Sequence, residues 1–172
     1  LYEIINEAII LPLFYFIGKV VTDKKEFANR VKTGMLMSLV IYLVLSAIII
    51  CFTKPLLSLM ATDASIIDAS ATYIRIESVA NIFLILTQFT LVALVTINKS
   101  KYLYILTLAR LILCLVCDTF LVSSLPISLN LGANGIGYSN IIVNIVLLIV
   151  SLLLLAKEKV NVFEKAKLSF AW

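Results

Sequence analysis

The sequence contains no histidine, which removes the commonest general base and the commonest metal ligand at neutral pH. Charge is scarce as well. Only 14% of the 172 residues are charged, where a soluble domain carries about a quarter. The three cysteines, Cys51, Cys114 and Cys117, all lie inside apolar runs. Cys114-x-x-Cys117 lacks the second ligand pair of a metal motif, so small residues packing helix against helix is the better reading. No nucleophile with an adjacent base is visible, and the chain is not read as an enzyme.

What is present is apolar residue in long blocks. The chain is 62% hydrophobic with mean hydropathy +1.12, the signature of an all-α polytopic membrane protein. Five spans are expected, at about 1–21, 33–53, 78–98, 102–123 and 136–156. Pro12 should kink the first, Lys54-Pro55 should end the second, and 62–77 has the amphipathic look of a helix running along the membrane surface before it dives. A Gly/Asn-rich corner, Leu131 to Asn140, separates the last two apolar runs. The chain begins at Leu1 inside an apolar run and ends at Trp172 in a polar stretch. That is expected of a piece of a longer protein.

Net charge is +4, but the basic residues flank apolar blocks, which points to a bilayer and not to nucleic acid as partner. With five spans, one side receives Lys19, Lys24, Lys25, Arg30, Lys32, Lys99, Lys101, Lys157, Lys159, Lys165 and Lys167, and the other only Lys54 and Arg75. The positive-inside rule then places the 22–32 loop, the 98–101 turn and the C-terminus in the cytoplasm.

The polar residues inside the spans are the functional candidates. Asp118 comes first, because an ionisable group in a spanning helix is costly and usually faces a protein interior or an aqueous path. It sits ~24 Å above the start of its helix, and Gln88 ~15 Å above the cytoplasmic end of its own. Asn140 and Asn144 enter the same zone from the outer side, with Ser139 beside them and Glu7 toward the outer end of the first span. Glu77, Asn81, Leu84 and Gln88 share one helical face at i, i+4, i+7 and i+11. For the amides the plain alternative is interhelical hydrogen bonding; a carboxylate is a poorer choice for that task. Arg110 is well off the face of Asp118 and is expected to snorkel toward the cytoplasmic surface.

An ordered set of features carries a family resemblance. Gly18-Lys19 precedes a basic loop; Pro55-Leu56-Leu57, Ala71-Thr72-Tyr73-Ile74-Arg75-Ile76, Asn98-Lys99-Ser100-Lys101, Asp118 and Gly132-Ala133-Asn134-Gly135-Ile136-Gly137 follow. In that order and spacing the chain resembles the N-terminal lobe of the multidrug and toxic compound extrusion (MATE) transporters, from the second helix of a six-helix lobe to the sixth. Residues 157–172 then resemble the linker toward a second lobe.

The resemblance implies a Na⁺- or H⁺-coupled antiporter of the plasma membrane. It would export small organic or cationic compounds by alternating access, with no cofactor beyond the coupling ion. It also implies cation-coupling roles for Asp118, Gln88 and Asn140, with Na⁺ at Asp118 if Na⁺ is the ion. Glu7, Asn81, Ser139 and Asn144 are accessory polar candidates. Cys114 stands where the family has an asparagine, and Asn98 stands at a turn position where it has glycine, a residue type that also tolerates left-handed backbone. A lipid-linked saccharide flippase of a related branch and a non-transporting membrane scaffold are the alternatives.

Overall fold

A computed structural model describes residues 2–60 and 64–160. The readings made above for 61–63 and for 161–172 lie outside the described residues. Five helices follow one another: α1 (Tyr2–Gly18), α2 (Lys24–Met60), α3 (Ala64–Thr96), α4 (Lys101–Leu121) and α5 (Ala133–Lys157). No strand occurs among the described residues. α2 to α5 are each long and apolar enough to cross a membrane, and α1, with 17 described residues, is slightly shorter.

Two expectations are corrected. Pro55 lies inside α2, which continues to Met60 instead of ending at Lys54. The segment from 64 to 77 forms the first turns of α3, in one helix with the span. The Gly/Asn-rich corner is helical from Ala133 onward. The turn is made earlier, by Asn130 and Gly132 at positive φ, while Leu129 N–H and Leu131 N–H bond back to the carbonyls of Phe120 and Leu121.

The glycines of that corner have a packing role. A Cβ on Gly135 would stand 2.8 Å from the Leu121 carbonyl oxygen, and one on Gly137 would stand 2.7 Å from Ile76 Cγ2. Their absence lets α5 approach α4 and α3 closely, the use of small residues expected in membrane helix pairs. Gly34 of α2 does the same against the ring of Phe89 on α3.

α3 is the central helix, packed against the other four. Phe16, Ile17, Val31, Phe89, Ala93, Leu94, Val143 and Leu155 form the main core. Outward faces stay apolar: Leu108, Leu111, Ile112 and Leu115 on α4, and Val40, Val44 and Ile48 on α2 are all exposed. Such faces suit the apolar surroundings of a bilayer or of a neighbouring helix. Hydroxyls within the helices donate to carbonyls one turn back, as Thr87 does to Phe83, Thr90 to Leu86 and Thr119 to Leu115, so they need no water.

The helix ends near Lys99 are closed by local chemistry. Asn98 takes φ 60, and Lys99 N–H reaches back to the Leu94 carbonyl at 3.0 Å. Lys159 and Val160 repeat the arrangement after α5, with Val160 N–H on the Leu155 carbonyl at 3.1 Å. Both are Schellman closures, which satisfy carbonyls otherwise left bare at a helix end. Asn98 therefore adopts the left-handed backbone expected of it. Arg30 closes the end of α1 from α2, donating from Nη1 to the Phe16 carbonyl at 2.9 Å, while Glu26 holds its Nε at 3.2 Å. The guanidinium also lies 4.6 Å from the Phe16 ring centroid.

A candidate coupling and solute site in the bundle

The helical spacing of Glu77, Asn81, Leu84 and Gln88 has a direct structural outcome. All four line one cavity of about 310 Å³. α1 contributes Tyr2, Glu3 and Asn6 to the same space, α2 contributes Tyr42, and α4 contributes Arg110. Tyr2 and Tyr42 stack obliquely with ring centroids 5.8 Å apart, and the Tyr42 hydroxyl donates to the Tyr2 carbonyl at 3.2 Å. The Tyr2 and Ser46 hydroxyls lie 3.3 Å apart, and Ser46 donates to the Ser78 carbonyl at 3.0 Å. These bonds fix the wall of the cavity on the side of α1 and α2.

The polar groups are individually positioned. Asn81 Nδ2 donates to the Glu77 backbone carbonyl at 2.8 Å, and Asn140 Nδ2 of α5 donates to Glu77 Oε2 at 3.0 Å. The Glu77 carboxylate is thus held by an amide from a neighbouring helix. Asn6 Nδ2 donates to Gln88 Oε1. Both residues of that bond also line a second cavity, of about 600 Å³, with Glu7, Leu11, Phe14 and Leu103. The Asn6–Gln88 bond therefore stands between a polar chamber and a largely apolar one.

Arg110 does not follow its expected course toward the turn at 98–101. It lines the polar cavity with Tyr2, Glu3 and Glu77, because a long side chain on α4 can reach across to the polar face of α3. No hydrogen bond or ion pair engages it among the described residues.

The sequence candidates fall into separate places. Asp118 is half-buried on α4, and its Oδ1 is buried with no hydrogen-bond partner among the described residues. Ser139, buried on α5, lies beside Cys117, the neighbour of Asp118 on α4. Asn144 donates to the Ala80 carbonyl at 3.3 Å, and its own carbonyl accepts from Thr87 at 3.2 Å. Glu7 is exposed at the wall of the apolar cavity. Gln88 and Asn140 are engaged with Asn6 and Glu77, and no bond joins either to Asp118 among the described residues. Tyr2 and Tyr42 escaped the sequence reading, and Glu3 and Asn6, polar residues at the start of the first apolar run, were not among its site candidates. For Asn6 the available signal was an amide one turn into an apolar run.

A bundle of long apolar helices, with carboxylates, an arginine and amides turned into interior cavities, defines a polytopic membrane protein of the solute-handling kind. A protein-family model, MatE, matches residues 21–121, from the loop before α2 through α4. The chain belongs to the MatE family, the family of MATE-type transporters. The match includes Glu77, Asn81, Gln88, Arg110 and Asp118, whereas the α1 residues of the cavity and Asn140 of α5, which holds Glu77, lie outside it. No curated protein and no solved structure matches the chain.

Proposed function

We propose that this chain is part of a cation-coupled antiporter. It exports small organic or cationic compounds across the plasma membrane by alternating access, in exchange for Na⁺ or H⁺. The observation that carries this reading is the state of Asp118. One carboxylate oxygen is buried in a spanning helix with no hydrogen-bond donor beside it among the described residues. A carboxylate in a spanning helix is costly and marks an ion or proton pathway, and exchange of a cation or proton at such a group is what coupling requires. Glu77, held by Asn140 and facing the polar cavity, is a second carboxylate available for the same exchange. No enzymatic chemistry is assigned to the chain. A second transmembrane lobe is its partner in the complete transporter, since alternating access needs two bodies that rock about a shared site.

The test is Asp118→Asn in the full-length transporter, reconstituted in proteoliposomes with an imposed ion gradient. The amide preserves size and hydrogen bonding but carries no titratable charge. Gradient-driven dye efflux should fall to background while folded yield is unchanged. Efflux at the wild-type rate would end the coupling assignment.

The orientation we propose puts the 22–32 loop, the 98–101 turn and the C-terminus in the cytoplasm. Cysteines replacing Lys25 and Lys99 should then react only with reagent on the cytoplasmic side, and one replacing Ser128 only from outside. Labelling of any of the three from the opposite side reverses the assignment.

A further inference from the structure

Coupling leaves Arg110 unused. A guanidinium within a spanning helix is as costly as a carboxylate, yet no carboxylate lies at ion-pair distance from it among the described residues. Glu3 and Glu77 share its cavity without pairing with it. The cavity of about 310 Å³ is therefore lined by one cation, the half-buried Arg110, and two carboxylates, the half-buried Glu77 and the exposed Glu3. That volume is at the small end of ligand pockets. A purely cationic solute would satisfy the carboxylates and be repelled by Arg110. A purely anionic one would do the reverse. A solute with both charges can meet both.

We propose that this cavity binds a dipolar organic solute, one carrying an acid group and an ammonium group several bonds apart. The acid group lies against Arg110, whose planar fork presents parallel donors that match a carboxylate or phosphate. The ammonium lies toward Glu77, whose Oε2 is already oriented by Asn140. The Tyr2–Tyr42 pair offers it aromatic faces as well. Asn81 and Gln88 line the space between the two charged ends. This inference rests on the transporter reading only in treating the bound molecule as cargo; the site itself is defined by the charges in the cavity.

Three probes of one length separate the alternatives: 6-aminohexanoate with both charges, hexylamine with the cation alone, and hexanoate with the anion alone. Binding is measured by equilibrium dialysis of labelled probe against the full-length protein in nanodiscs of phosphatidylglycerol. 6-Aminohexanoate should bind about tenfold or more tightly than either singly charged analogue, the effect of one further charge-assisted contact. Arg110→Gln should bring 6-aminohexanoate to the level of hexylamine without weakening hexylamine. Glu77→Gln should bring it to the level of hexanoate without weakening hexanoate. The singly charged probe retained by each variant shows that the variant is folded, and Arg110→Lys should recover part of the loss.

Hexylamine binding as tightly as 6-aminohexanoate, or an Arg110→Gln variant indifferent to the acid group, overturns the proposal. Nanodiscs containing phosphatidylethanolamine distinguish a solute from a lipid headgroup with the same two charges. Undiminished 6-aminohexanoate binding supports a solute, and displacement assigns the same pair of contacts to the bilayer and overturns the solute. Because binding is read without an ion gradient, failure of the Asp118 coupling test leaves these outcomes intact.

Discussion

The 98–101 turn and the cavity lined by Glu77 and Arg110 draw on the same residue types and use them in opposite ways. Around the 98–101 turn, charges are paired. Lys99 Nζ meets Glu158 Oε2 at 3.0 Å, the Tyr102 hydroxyl donates to Glu158 Oε1 at 3.0 Å, and Arg30 is held by Glu26 and the Phe16 carbonyl. In the cavity, the half-buried Arg110 has no ion-pair partner among the described residues, and Glu77 is held by an amide instead of a cation. Paired charges fasten elements together. Unpaired charges inside a membrane protein are stabilised by what arrives, which is the arrangement a transporter needs and a scaffold does not.

Breaking that contrast should cost most where backbones touch. Gly135→Val drives a side chain into the Leu121 carbonyl, 2.8 Å from the Cβ position, and nothing flexible can give way. We expect a loss of about 3 kcal/mol, at the upper end of overpacking, seen as a lower thermal transition and poor recovery of monodisperse protein.

Arg30→Ala should come next. It strips a charged donor from the buried Phe16 carbonyl and removes a stacked cation, for about 2 kcal/mol. A thermal shift no larger than that of an exposed lysine replacement would show that the paired charges do not fasten α1.

The smallest effect is expected at Glu158, and it is one of pH. Lys99 and Tyr102 hold its carboxyl below the usual carboxylate range, and Glu158 holds the Lys99 ammonium above its usual one. The depressed carboxyl contributes stability fully present above its unfolded value of about 4.3 and lost as pH falls through the lower folded value. The raised ammonium contributes stability present below about 10.4 and lost as pH rises through the higher folded value. Glu158→Gln should therefore lower thermal stability slightly at pH 7 and flatten the acid limb of its pH profile. An unchanged acid limb would show that the pair is absent in solution.

How much of this could be read in the residues depends on whether one helix was enough to decide it. The Glu77–Asn81–Leu84–Gln88 face was legible because its spacing lies within a single helix, and those four side chains do share a cavity. The left-handed Asn98 was legible for a similar reason: a tight turn between two apolar runs asks for such backbone. Arg110 was not, since periodicity gives the angle of a side chain on its own helix but not the neighbour it reaches. The contribution of Tyr2, Glu3, Asn6 and Tyr42 depends on how α1 and α2 pack on α3, which no spacing encodes. Pro55 and the glycines after 131 misled in a common way. Both are local breakers, and here the packing of long apolar helices outweighs that tendency.

The close seams at Gly34, Gly135 and Gly137 also have a meaning for heredity. Any single-base change in a glycine codon that alters the residue either adds at least a Cβ or ends the chain. At each of these three positions even that first carbon meets an atom closer than real Cβ contacts allow. Only the third-position changes that keep glycine leave these three sites intact. Random variation should accumulate freely along the exposed leucines of α4 and be purged at these three codons first.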